Sequence, residues 1–290
     1  MLGAVRGLAT LLRDAGTNWV DDHAQSMGAA LAFYTIFSIA PLLLIVIAVA
    51  GMVFGEEAAR GEIYTQLNGL LGNSGARAVQ GLLESVRQPA DNVPAALFGV
   101  GLLFVAATTV FAELQNALDR IWRAPQRSRA GGLWSLVRAR LLSFGMILGI
   151  GFVLIVSLAF SAAMRALSRW WDPESRSWAT FSGASELGLS LLLLTAVFAM
   201  IYKTMPRAQV AWRDVWVGAA VTSALFVAGK TLIGLYIGRS GITSAFGAAA
   251  SLIVVLLWVY YSAQIFLFGA EFTWVWSHRH GSRRGQPLPR

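Results

Sequence analysis

Along this chain polar residues are bunched and apolar residues run together. Between consecutive charges, residues 28–55, 92–112, 141–164 and 240–270 contain no Asp, Glu, Lys or Arg. Each matches or exceeds the roughly 20 residues a helix needs to cross hydrocarbon. Two further runs are shorter or interrupted: 187–202 holds 16 uncharged residues, and 215–238 contains Lys230. With flanking residues both reach spanning length. None of the six alternates apolar and polar positions, and all are longer than the ~10 residues of a barrel strand, so the pattern predicts helices. The expected fold is all-α: a polytopic membrane protein with six transmembrane helices at about 28–54, 93–117, 141–164, 185–204, 214–237 and 247–273, within a membrane domain of residues 28–276.

The segments outside these runs have their own patterns. Residues 1–27 interleave Val5, Leu8, Leu11, Leu12 and Trp19 with Arg6, Arg13, Asp14 and Asp21, which predicts an amphipathic helix lying along the inner headgroups. The first apolar run is too long for the core of a cleavable leader, so the first span is expected to act as its own signal anchor. Residues 56–91 place Leu67, Leu70, Val79, Leu83 and Val86 on either side of Gly72-Asn73-Ser74-Gly75, predicting a periplasmic helical hairpin with a break at the glycines. Residues 277–290, with Arg283, Arg284, Pro287 and Pro289, lack apolar periodicity and read as a basic disordered tail.

Charge supplies orientation. With the N-terminus inside, the cytoplasmic segments hold 15 Lys and Arg and the opposite segments 7, with Lys230 inside a span, so both termini are expected in the cytoplasm. This asymmetry and attraction to anionic lipid account for the net charge of +8, and nucleic acid is not expected as a partner. A content of 56% hydrophobic against 13% charged residues, with mean hydropathy +0.60, excludes a water-covered globular surface. The absence of Cys excludes thiolate chemistry, disulfides and Cys-held clusters. Only His23, His278 and His280 could join a histidine metal site, and neither a Walker motif nor a Ser/His/Asp spacing is present. No cofactor, metal or enzymatic activity is expected, while coupling to an ion gradient stays open. Asp21-Asp22-His23 reads as a solvated cluster at the membrane edge, because adjacent helical residues point apart.

The remaining chemistry is the polar residues within the spans, where a charge costs about 2.5–3.5 kcal/mol on insertion scales and needs a partner, water or a route to the interface. Thr109, Glu113, Asn116 and Arg120 share a helical face near the cytoplasmic end of span 2. Tyr260, Gln264 and Glu271 form a second stripe on span 6. Lys230 falls in the outer half of span 5, with Glu186 as its depth-matched partner. In span 1, Tyr34, Ser38 and Pro41 share a face, and Pro41 frees the carbonyl of Phe37, predicting a kink. Gly145, Gly149 and Gly151 offer close helix approach in span 3. Two readings stand for the charged members. In the structural one, Glu113 and Glu271 pair with Arg120, Arg138 or Arg207 and Lys230 snorkels outward. In the functional one, they line an aqueous cavity that binds or gates a polar substrate group.

Several blocks carry a family resemblance. Residues 28–44 read GAALAFYTIFSIAPLLL, residues 111–122 FAELQNALDRIW, residues 256–264 LLWVYYSAQ and residues 267–271 LFGAE. Together they resemble the YihY/BrkB family of membrane proteins over roughly residues 25–276. Phe246 and Asp119 depart from the family pattern, where Tyr and Asn are common, and no chemistry is carried over to them. The resemblance implies six spans in a bacterial inner membrane, a link to envelope integrity and serum resistance, and export of glycans or lipids. The leading expectation is therefore an inner-membrane transporter or flippase-like permease for an envelope lipid or glycan, with a cavity between spans 1, 2, 5 and 6 and membrane lipids and other copies of the chain as possible partners. The alternative is a non-transporting scaffold for envelope-assembly proteins, docking through loop 120–140 and the hairpin. A ribonuclease label once attached to the family is disfavoured by the missing metal ligands.

Overall fold

A computed structural model describes residues 2–86, 109–124, 156, 176–239 and 250–285. Seven helices organise them: α1 (Leu2–Asp21), α2 (Ala24–Phe54), α3 (Glu56–Val86), α4 (109–121), α5 (Arg176–Thr204), α6 (Trp212–Arg239) and α7 (Ala250–Arg279). No strand occurs among the described residues. Among the described residues four helices are long and apolar enough to cross a membrane, over Ala24–Met52, Leu187–Thr204, Trp212–Ile237 and Leu252–Arg279. They match the expected spans 1, 4, 5 and 6. The span expected at 141–164, with its three glycines, lies outside the described residues except for residue 156, and so do residues 93–108 of span 2, 247–249 of span 6, loop residues 125–140 and tail residues 286–290.

The central helix is α7, which packs against α1, α2, α3 and α6, while α5 lies against α6. Large apolar side chains including Phe33, Phe37, Leu192, Leu232 and Tyr236 stay exposed on α2, α5 and α6. Such a surface is stable against acyl chains rather than water. The buried residues concentrate where α1, the start of α2, α4, the end of α5, the start of α6 and the end of α7 converge. This is also where cations meet indoles: Arg123 lies over Trp274 (4.7 Å), Arg283 over Trp122 (5.2 Å) and Lys203 over Trp212 (5.6 Å). Amphipathic rings and basic heads together suit a headgroup layer, and this part of the molecule is called the basic end below.

Two connections turn the chain sharply. Between α1 and α2 the backbone passes through Asp22 and through His23 in the left-handed region (φ 56°). Between α2 and α3 Gly55 adopts φ 87°, which a side chain would resist, and its N–H donates to the carbonyl of Gly51 (2.9 Å). Within α2 the helix continues through Pro41.

Two expectations change. The backbone of α3 is helical through Gly72-Asn73-Ser74-Gly75, where a break was expected. Yet Arg60 and Glu84 line one cavity of about 390 Å³, although 24 residues of straight helix would hold them ~36 Å apart. The stretch up to Leu67 and the stretch from Ala76 therefore face each other across that cavity, so α3 doubles back between them. The second change is at the C-terminal end. Residues 277–279 belong to α7 and 280–285 form turns rather than a disordered tail. Their anchor is Asp214 in the first turn of α6, whose carboxylate accepts hydrogen bonds from the Ser282 N–H (3.2 Å) and hydroxyl (2.6 Å). Arg283 adds a bond to the carbonyl of Gln209 (2.9 Å). Local composition predicted disorder because these partners lie some 70 residues away in sequence.

Candidate functional site: a buried carboxyl pair and an apolar cavity

The site rests on how closely α7 approaches its neighbours. Gly218 and Thr222 on α6 and Gly269 and Thr273 on α7 interlock reciprocally: each glycine leaves the space that the opposing threonine fills. Both hydroxyls fold back onto their own helix, Thr222 to the Gly218 carbonyl and Thr273 to the Gly269 carbonyl (2.7 Å each), so no polar atom is stranded at the contact. Tyr202 of α5 reaches the same crossing. Fully buried, it donates to the Phe266 carbonyl (2.7 Å) and lies 3.1 Å from the Thr222 hydroxyl.

This packing holds Gln264 of the α7 stripe against the start of α2 and Glu271 against the α1–α2 connection. Gln264 fills the space above Gly28 and donates to the Gln25 carbonyl (3.4 Å), leaving its own side-chain oxygen buried with no hydrogen-bond partner among the described residues. Two turns further, Glu271 is 1% exposed. Its neighbour is Asp22 of the α1–α2 connection, within hydrogen-bonding reach, with Arg123 and Asp21 within electrostatic range. One oxygen of each carboxyl, Oε1 of Glu271 and Oδ2 of Asp22, is buried and has no hydrogen-bond partner among the described residues. The expectation that Arg207 would serve a span glutamate is therefore corrected. Arg207 belongs to Asp119, donating its N–H (2.7 Å) and placing its guanidinium 3.5 Å away. Burial pushes the Asp119 carboxyl above its usual range, against the opposite pull of both Arg207 groups. The expected solvated Asp21-Asp22-His23 cluster changes at Asp22 alone: Asp21 and His23 are exposed, while Asp22, next to the left-handed turn at His23, turns one carboxyl oxygen inward.

The other candidate residues are more dispersed. Ser38 is buried, Tyr34 is half-buried beside Phe33 on α2, and Pro41 is buried. On α4 and the turn that follows it, Phe111, Ala117, Leu118, Ile121 and Trp122 face the core, while Glu113 is half-buried and Asn116 exposed. Tyr260 is half-buried. Lys230 is exposed on α6, among the exposed Leu225, Leu232 and Leu235; the side chain of Glu186, its expected partner, lies outside the described residues. Sequence reasoning missed Asp22, Arg123, Tyr202 and Asp214 as members of polar contacts. Only Asp214 carried a local signal, an acid in the first turn of a helix.

A cavity of about 390 Å³ lies between α2 and α3; the cavity expected between spans 1, 2, 5 and 6 would involve residues 93–108, which lie outside the described residues. Leu43, Ile47, Ile63, Leu67, Val79 and Leu83 give it apolar walls, and Arg60, Tyr64, Gln80 and Glu84 supply polar atoms. Arg60 is bonded to Glu56 through one terminal nitrogen (2.5 Å), while its Nε is buried with no hydrogen-bond partner among the described residues. The volume falls in the range of small-molecule sites, and apolar walls with a few polar groups suit an amphiphile. Among the described residues no group of three or more His, Asp or Glu is placed to hold a metal ion.

Comparison with known proteins agrees with this picture of a membrane protein. The family described as Virulence factor BrkB matches residues 15–290. The chain is 31% identical over 277 residues to a UPF0761 membrane protein of Pseudomonas paraeruginosa, covering 93% of this chain and 64% of that protein. A UPF0761 membrane protein of Pseudomonas aeruginosa strain LESB58 is 32% identical over 257 residues, covering 87% and 59%. One from Ralstonia nicotianae is 32% identical over 269 residues, covering 89% and 56%. The chain thus spans about three-fifths of the length of these relatives. No solved structure matches it. With its apolar helices, its basic aromatic end and a family match over nearly its whole length, the chain belongs to the BrkB family of membrane proteins.

Proposed function

We propose that this protein is a transporter or flippase-like permease of the bacterial inner membrane that handles an envelope lipid or lipid-linked glycan. Its basic end faces the cytoplasm in this reading, it catalyses no covalent chemistry, and its arginines serve anionic headgroups rather than nucleic acid. The supporting observation is the α2–α3 cavity: apolar walls sized for part of an acyl chain, with the Arg60 guanidinium beside them to meet a phosphate or carboxylate.

Reconstitution into liposomes with labelled lipid and lipid-linked glycan candidates tests the reading. Transfer across the bilayer is expected for at least one candidate. Filling the cavity with Val79→Trp or Leu43→Trp is expected to slow it about tenfold or more, equivalent to losing ~1.4 kcal/mol of binding. A folded wild-type protein that moves none of them points instead to the scaffold reading. Transfer unaffected by either folded cavity variant removes the cavity from the pathway.

A further inference from the structure

Two carboxyl groups cannot share a dry contact while both are ionised, because like charges at hydrogen-bonding distance in a low dielectric repel too strongly. Asp22 and Glu271 approach that situation, from elements at opposite ends of the sequence: Glu271 is buried and Asp22 half-buried, and each has one buried oxygen with no hydrogen-bond partner among the described residues. We infer that Asp22 and Glu271 form a binding site for a single proton, shared between the two carboxyls, and that this proton latches the α1–α2 connection onto α7. The inference stands whether or not the protein moves a lipid; if it does, the latch is where a proton gradient could act on it.

The surrounding charges agree with one proton. The α1–α2 connection brings Asp21 and His23, both exposed, and α4 brings Arg123, which lies over Trp274 one turn beyond Glu271. On α7 itself the nearest titratable group is His278, which bonds the Trp274 carbonyl instead (2.9 Å). Asp214 of α6 is occupied by Ser282. With one proton on the pair, Arg123 balances the remaining negative charge; with none, an uncompensated charge stays buried and the carboxylates push Asp22 away from α7. A metal ion fits less well, since hard cations need about six oxygen ligands and no group of three or more His, Asp or Glu converges here among the described residues. Both non-glycine residues with left-handed backbone among the described residues, His23 (φ 56°) and Arg123 (φ 47°), flank the pair. That conformation is costly and persists where surrounding contacts fix it.

The test is infrared spectroscopy of the protein in phosphatidylethanolamine/phosphatidylglycerol nanodiscs, titrated with pH. At neutral pH the wild type is expected to show the C=O stretch of a protonated, slowly exchanging carboxyl. Glu271→Gln is expected to remove it. Asp22→Asn, which keeps the volume and can donate to Glu271, is expected to lower its titration midpoint by about one pH unit or more. The wild-type band needs no variant, so its absence at neutral pH overturns the proposal even if both substitutions fail to fold. An unchanged midpoint in folded Asp22→Asn overturns the sharing, and a midpoint that moves with sodium concentration replaces the proton by a cation.

Discussion

Tyr202 illustrates what a single buried hydroxyl does in this protein. Its donor bond to the Phe266 carbonyl joins α5 to α7, and its contact with Thr222 adds α6, so three helices meet at one oxygen. Removing the hydroxyl while keeping the ring costs one net hydrogen bond, about 0.5–1.5 kcal/mol. Tyr202→Phe is therefore expected to lower the thermal midpoint in detergent without loss of helicity. An unchanged midpoint, followed by tryptophan fluorescence, would mean the bond contributes nothing. Asp214 and Asp119 work similarly at the basic end, each holding a turn that the sequence alone leaves unattached. Neither was readable beforehand: a carboxylate in a polar stretch carries no sign of whether it meets water or a distant N–H.

At the scale of elements the decisive contact is the reciprocal glycine–threonine crossing of α6 and α7. Without a hydrophobic force between helices in lipid, close approach and dispersion hold them together, and small residues permit it. Gly269→Val places methyls where the Thr222 and Tyr202 oxygens already sit, so α6 must move away. Gly234→Ala on α6 meets open space and is expected to be neutral or slightly stabilising through helix propensity. Size-exclusion profiles and melting of the two variants check this: a folded, wild-type-like Gly269→Val would mean the crossing is not tight. The polar stripe on α7 was legible from its spacing of four and seven residues, because period is a local property. Its destination against the α1–α2 connection was not. The α3 segment was legible as helical with a reversal near its glycines, whereas the uninterrupted backbone through that reversal depends on how it lies along α2 and α7.

For the whole molecule the expectation is six spans with both ends on the cytoplasmic side. The chain has no cysteine, so single-cysteine variants report position without background. Thr17→Cys on α1 and Arg284→Cys after α7 are expected to resist a membrane-impermeant maleimide in intact cells and to react after permeabilisation. Thr65→Cys on α3 is expected to react in both; all three positions are exposed. Labelling of Thr17→Cys in intact cells would reverse the topology and move the carboxyl pair to the outer face.

Membrane residence, helical class and the four helices long and apolar enough to cross a membrane followed from sequence, because the length of an uncharged run and its period are set by consecutive residues and by the thickness of hydrocarbon. The polar contacts did not follow. Asp22 meets Glu271, Arg207 meets Asp119 and Tyr202 meets Thr222 only once α7 sits at the centre of the bundle with glycines at its crossings. Side chains from remote parts of the chain become neighbours through helix packing, and no local pattern encodes the distance between them.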